Sequence, residues 1–156
     1  MKTSNENDAS PTDIDRDAPA IIRLERVIPA HRQRIWDLHA DVAGWPKWQL
    51  DIATASIDGP LAAGSALTWT TAGLDKPIVS TIHAVEPHRS TLWSGPASGI
   101  VGIHRWAFDD TDAGTRVTTE ESWGGAPVEA NPTKAAKMLE TSLERWLDFL
   151  GTAATS

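Results

Sequence analysis

Two segments, His104-Arg105-Trp106-Ala107-Phe108 and Thr115-Arg116-Val117-Thr118-Thr119-Glu120-Glu121-Ser122-Trp123, stand on either side of the turn-forming run Asp109–Gly114. Both are rich in β-branched and aromatic residues, and the run between them places Asp and Gly at a reversal, so together they read as an antiparallel hairpin. Closing the hairpin through that turn pairs Phe108 with Val117, Trp106 with Thr119, His104 with Glu121 and Gly102 with Trp123. Side chains alternate across a strand, so all of these share one face. Phe108 and Val117 are apolar, which turns the face inward and brings His104 and Glu121 together inside the protein. A slip of one residue would put the whole set outside.

Upstream, the segments Asp51–Asp58, Ser65–Thr71, Pro77–Val85 and Ser90–Ser94 also have strand character, punctuated by Gly59-Pro60, Ala72-Gly73, Glu86-Pro87 and Gly95-Pro96. The strands of the hairpin are placed at Ile100–Asp109 and Thr115–Trp123. Ala20–Ile28 is a further alternating run, stopped by Pro29. Two short helices with a bend are expected after it, because Ile35, Trp36, Leu38 and His39 fall at helical spacing within His31–Ala40 and the next stretch, Asp41–Gln49, contains Gly44 and Pro46. The last segment is the clearest helix. Asn131 can cap it, Pro132 suits its first position, Leu139, Leu143, Trp146, Leu147 and Leu150 form one apolar stripe, and Gly151 is placed to end it. One strand, two short helices, six strands and a long C-terminal helix make an α+β architecture whose sheet must bury one face against that helix.

Composition narrows the function classes. The 156 residues are 40% hydrophobic and 22% charged, which fits one globular domain able to bury about 70% of its unfolded surface without staples. There is no cysteine, which excludes thiolate nucleophiles, iron–sulfur clusters and Cys-ligated zinc. The net charge of −7 argues against a nucleic-acid partner. No apolar run is long enough for a membrane helix and the first residues lack a signal-peptide core, so a cytoplasmic location is expected. Residues 1–19 are polar, with five carboxylates against two basic side chains, and read as a disordered acidic leader, followed by a single domain over 20–152. The unusual feature is eight Trp with two Phe and no Tyr, which implies an aromatic core or an aromatic-walled pocket.

Three groups of residues carry a resemblance to a known superfamily. The first is Ile28-Pro29-Ala30, Ile35-Trp36 and Asp41-Val42-Ala43-Gly44-Trp45-Pro46-Lys47-Trp48. The second is Gly59-Pro60-Leu61 with Gly64-Ser65. The third is the hairpin above together with Ser142-Leu143-Glu144-Arg145-Trp146-Leu147. The chain resembles the START-like, or SRPBCC, superfamily, in its polyketide cyclase/dehydrase and lipid-transport branch. That resemblance implies a helix-grip fold: a curved antiparallel seven-stranded sheet wrapped around the long C-terminal helix, with two short helices after the first strand and an apolar cavity between sheet and helix. Its members include cyclases, dehydratases and passive carriers, and it implies no universal catalytic set.

Within such a cavity a His–Glu pair can move protons near neutral pH, with His104 as proton carrier and Glu121 as the partner that fixes its tautomer. The same pair can also serve as a buried hydrogen bond that only maintains the sheet. Trp48, Trp69, Trp93, Trp106 and Trp123 are candidates for stacking on a planar ligand, and His83, on a strand, is grouped with them. Trp146 and Trp36 sit in apolar helical stripes and read as core. No His, Asp or Glu spacing suggests a metal site, and no Gly-rich run matches a nucleotide loop, so neither metal nor cofactor is expected. The expected function is binding of a hydrophobic, aromatic or polyketide-like small molecule and its cyclisation or dehydration, by a monomer or homodimer. The alternatives are a non-catalytic carrier of a lipophilic molecule and a module acting through its surface.

Overall fold

The computed structural model describes residues 10–156. Its elements follow the expected order. Strand β1 (Ala20–Ile28) leads to helix α1 (Arg32–Ala40) and a 3-10 helix (Val42–Lys47). Strands β2 (Ile52–Asp58), β3 (Ala66–Thr71), β4 (Ile78–Glu86), β5 (Ser90–Ala97), β6 (Ile100–Thr111) and β7 (Gly114–Gly124) follow. A short helix not anticipated from sequence, α2 (Ala126–Ala130), precedes the long helix α3 (Pro132–Ala154). The seven strands form one antiparallel sheet in the order β1-β7-β6-β5-β4-β3-β2. The sheet curves around α3 in the helix-grip arrangement.

The β6–β7 register is the one derived above: Phe108 pairs with Val117, Trp106 with Thr119, His104 with Glu121 and Gly102 with Trp123. Helix α3 starts where Asn131 Oδ1 accepts the Lys134 backbone N–H at 3.1 Å, leaving one fewer orphan donor in the first turn. Its stripe of Leu139, Leu143, Trp146, Leu147 and Leu150 is buried. Each such side chain contributes about 1.5–3 kcal/mol of transfer free energy.

Three expectations are corrected. Gly151 does not end α3, which runs on to Ala154. Gly151 sits against the side chain of Ile28, within 4.0 Å of where its own Cβ would be, and this packing continues the helix past a residue of poor helix propensity. Gly95-Pro96 is not a turn either, because β5 continues through it, with Pro96 opposite Val101. The reversal lies at Ser98-Gly99, both at positive φ (53° and 84°), as a tight hairpin turn requires.

The third correction concerns the leader, whose residues 1–9 lie outside the described residues. From Asp13 onward it packs on the outer face of the sheet. Ile14 is buried, the Asp15 backbone N–H donates to Ser122 Oγ at 3.0 Å, and both Arg16 terminal nitrogens donate to Glu120 at 3.1 Å. A single apolar residue and one two-pronged arginine anchor a stretch whose composition alone reads as disordered.

Candidate functional site

The inner face of the hairpin, β3–β5 and α3 enclose a cavity of about 290 Å³. Five of the eight tryptophans line it: Trp45, Trp69, Trp93, Trp123 and Trp146. His104 and Glu121 line it as well, together with Gln49, Ser80 and Gly102. Among the described residues no lysine or arginine does. A larger groove of about 720 Å³ between α1, the 3-10 helix and the C-terminal end of α3 is open, with Arg34, Asp37, Asp41 and Lys47 among its lining residues.

The expected ligand-facing set therefore divides. Trp69, Trp93 and Trp123 are in the cavity wall. Trp48 is not: it lies just past the 3-10 helix, packs against Trp146 at 5.9 Å and lines the outer groove. Trp106 is fully buried on the correct face but deeper than the cavity, stacked on Phe108 at 6.3 Å and edge-on to Trp146 at 5.6 Å. His83 is on the outer face of β4, bonded to Ser94 Oγ through Nε2 at 2.6 Å. Trp146 serves both core and cavity, and Trp36 packs in the core against Phe108 at 5.9 Å. Sequence reasoning assigned no ligand contact to Trp45 or Gln49. Trp45 belongs to the Asp41–Trp48 bend quoted above, which was the available signal, and its indole N–H donates to the His39 carbonyl at 2.9 Å. A single glutamine at the end of that bend offers no comparable signal.

Glu121 Oε1 is 3.2 Å from His104 Nδ1, and Glu121 Oε2 accepts the Trp123 indole N–H at 2.8 Å. The other nitrogen of the ring, Nε2, is 2.7 Å from the buried Thr119 Oγ1. The Thr119 bond fixes the orientation of the imidazole. Gly102, opposite Trp123, leaves the space that this carboxyl occupies. A Cβ there would meet Glu121 Oε2 at 2.9 Å.

Burial shifts the two groups in opposite directions. It pulls the His104 imidazole down to about 3, with neighbouring His39 adding to the effect. It pushes the Glu121 carboxyl up to about 7, partly opposed by the Trp123 hydrogen bond, which favours the anion. A charged pair would place two ions among aromatic rings, which costs more than a neutral pair.

The family model described as "Polyketide cyclase / dehydrase and lipid transport" matches residues 19–155. The chain belongs to this family. Among solved structures, a hypothetical protein from Helicobacter pylori is similar at a TM-score of 0.78 and 16% identity, over 94% of this chain and 98% of that one. A START superfamily protein from Mycobacterium smegmatis is similar at 0.71 and 10% identity, over 86% and 97%. The di-domain ARO/CYC BexL from the BE-7585A biosynthetic pathway is similar at 0.69 and 16% identity; the match covers 90% of this chain and 52% of BexL. At these identities the likeness is one of fold. A comparison with curated proteins finds no match. Among the described residues no helix is long and apolar enough to cross a membrane, and no group of three or more His, Asp or Glu could hold a metal ion.

Proposed function

We propose that this family member binds a small hydrophobic carbonyl compound in the aromatic cavity and promotes its cyclisation or dehydration by proton transfer at Glu121. The observation that carries the reading is a carboxyl with its pKa raised to about 7, bonded by the Trp123 indole N–H and 3.2 Å from His104 Nδ1, in a cavity that no lysine or arginine among the described residues lines. A carboxylate of that basicity removes a proton from the carbon beside a carbonyl, and the C–H electron pair passes into the enolate. The resulting carboxylic acid returns the proton to a leaving hydroxyl, which departs as water, so one group acts as base and then acid with no net proton consumed. The aromatic walls exclude water and hold a flexible substrate in its reactive shape. The family's description, polyketide cyclase/dehydrase and lipid transport, and the fold shared with the ARO/CYC proteins of two biosynthetic pathways support the same reading.

The carrier alternative keeps one observation in its favour: both oxygens of Glu121 already have protein partners. Deuterium exchange separates the two readings. β-Tetralone, an enolisable bicyclic ketone, is incubated in D2O with the protein and its α-hydrogens are followed by NMR. Exchange above the buffer rate that is lost in Glu121→Gln supports the enzyme; saturable binding with exchange at the buffer rate supports the carrier.

A further inference from the structure

Gln49 ends the bend after the 3-10 helix and is 2% exposed. Its backbone N–H donates to the Trp45 carbonyl at 2.7 Å, and its own carbonyl accepts from Ile52 N–H at 3.1 Å. The side chain is equally constrained. Oε1 accepts the Asp51 backbone N–H at 2.7 Å, and reversing the amide would turn two N–H groups onto that donor. The amide nitrogen is therefore directed away from the bend. It makes no hydrogen bond to the described residues and is open to the cavity, which Gln49 lines. Water or a ligand oxygen entering the cavity is therefore its partner.

Gln49 precedes β2, at one end of the strand order, whereas Glu121 is on β7, next to the other end. Sheet curvature sets them on different walls of one small space. At about 290 Å³ that space is worth roughly ten waters at ~30 Å³ each, room for a small fused-ring compound. Resting on the cavity-binding reading above, we infer that Gln49 is the specificity-determining donor of the site. Its ligand is a small fused-ring compound whose carbonyl or hydroxyl oxygen accepts the Gln49 amide N–H while another part of the molecule reaches Glu121. The tryptophans then supply affinity without direction, and Gln49 fixes which way round the ligand lies.

Binding alone tests this assignment, independently of turnover. Quenching of Trp fluorescence is titrated with β-tetralone and with tetralin, which has the same skeleton without oxygen. The intact protein is expected to prefer the ketone over tetralin about tenfold. In Gln49→Leu the ketone preference falls to near unity while tetralin affinity is retained. Gln49→Glu keeps the acceptor for Asp51 N–H and removes the donor, so it provides the same comparison should the leucine variant fold poorly. An unchanged ketone preference in either folded variant overturns the role of Gln49. No binding of either bicyclic probe overturns the ligand class. Loss of exchange with binding intact bears only on the proposed catalysis.

Discussion

Gly102 and Glu121 are diagonal neighbours across the β6–β7 ladder, and the glycine's missing side chain is the space in which the carboxyl lies. A methyl at position 102 would stand 2.9 Å from Oε2 and within 3.5 Å of the Trp123 indole nitrogen, the donor that holds that oxygen. Gly102→Ala therefore forces the carboxyl off its bond. Overpacking of this kind costs about 1–3 kcal/mol, to be read from urea unfolding. The same variant is expected to lose at least tenfold in β-tetralone exchange, and a variant with undiminished exchange removes the Glu121–Trp123 bond from the chemistry.

The raised carboxyl makes stability depend on pH in a set direction. Burial raises Glu121 to about 7 in the fold from its ordinary 4.5, so between those values the folded state binds the extra proton. Its contribution is fully present below pH 4.5 and is lost as pH rises through 7, on the order of 3 kcal/mol in all. Glu121→Gln abolishes that term. Its unfolding free energy should gain on the parent's between pH 4.5 and 8, and parallel curves would show an ordinary carboxyl.

The buried histidines act in the opposite sense. His39 and His104 are both held at about 3 by burial, against an ordinary 6.5, so their contribution is fully present above pH 6.5 and is lost as pH falls toward 3. His39 does not line the cavity. It bonds Thr91 Oγ1 at 2.8 Å and is packed among Trp93, Trp106 and Phe108. His39→Phe should reduce proton uptake on acid unfolding by about one while leaving ligand binding intact. Potentiometric titration alongside circular dichroism measures it.

If Glu121 is the base, the rate of α-exchange follows its ionisation. The rate should rise with pH and level off above about 7, with the midpoint absent in Glu121→Gln. His104→Ala is expected to shift that midpoint and slow exchange, since it takes away the group that holds the carboxyl. An exchange profile without a midpoint in this range would place the proton elsewhere.

At the rim of the cavity, Arg145 on α3 grips Asp51 with two hydrogen bonds of 2.7 Å. Both groups are exposed, so the pair adds little to folding, but Asp51 also lines the cavity. Arg145→Ala should leave Tm nearly unchanged and speed release of bound β-tetralone, as read by stopped-flow fluorescence. Equal release rates would mean that the rim does not control passage.

How much of this was legible in the sequence depended on which physical signal each part leaves there. The hairpin register was, because a short turn and period-two alternation leave little choice about which residues face each other. Alternation reports a face and not a depth, which is why Trp106 and Trp123 looked alike although only the latter reaches the cavity. Gln49 gave no signal because its importance comes from a fixed amide orientation that only the folded bend supplies. Ile14 and Arg16 were hidden by acidic surroundings that resemble a disordered tail. The opposite shifts of His104 and Glu121 were illegible for another reason: they come from burial among aromatic rings and not from residue type.

Glu120 and Glu121 are the same side chain one residue apart. The pleat sends one outward to Arg16, with Arg23 and Arg105 at 3.6 and 3.9 Å, and the other inward to a cavity that no lysine or arginine among the described residues lines. The turn between Thr111 and Gly114 sets that parity, and the buried Phe108 and Val117, with the pairing of β7 to β1 on its other side, hold it. Turning Glu121 outward would carry Val117 and Thr119 out of the interior with it. The position of one carboxyl is therefore tied to the burial of the residues that share its face.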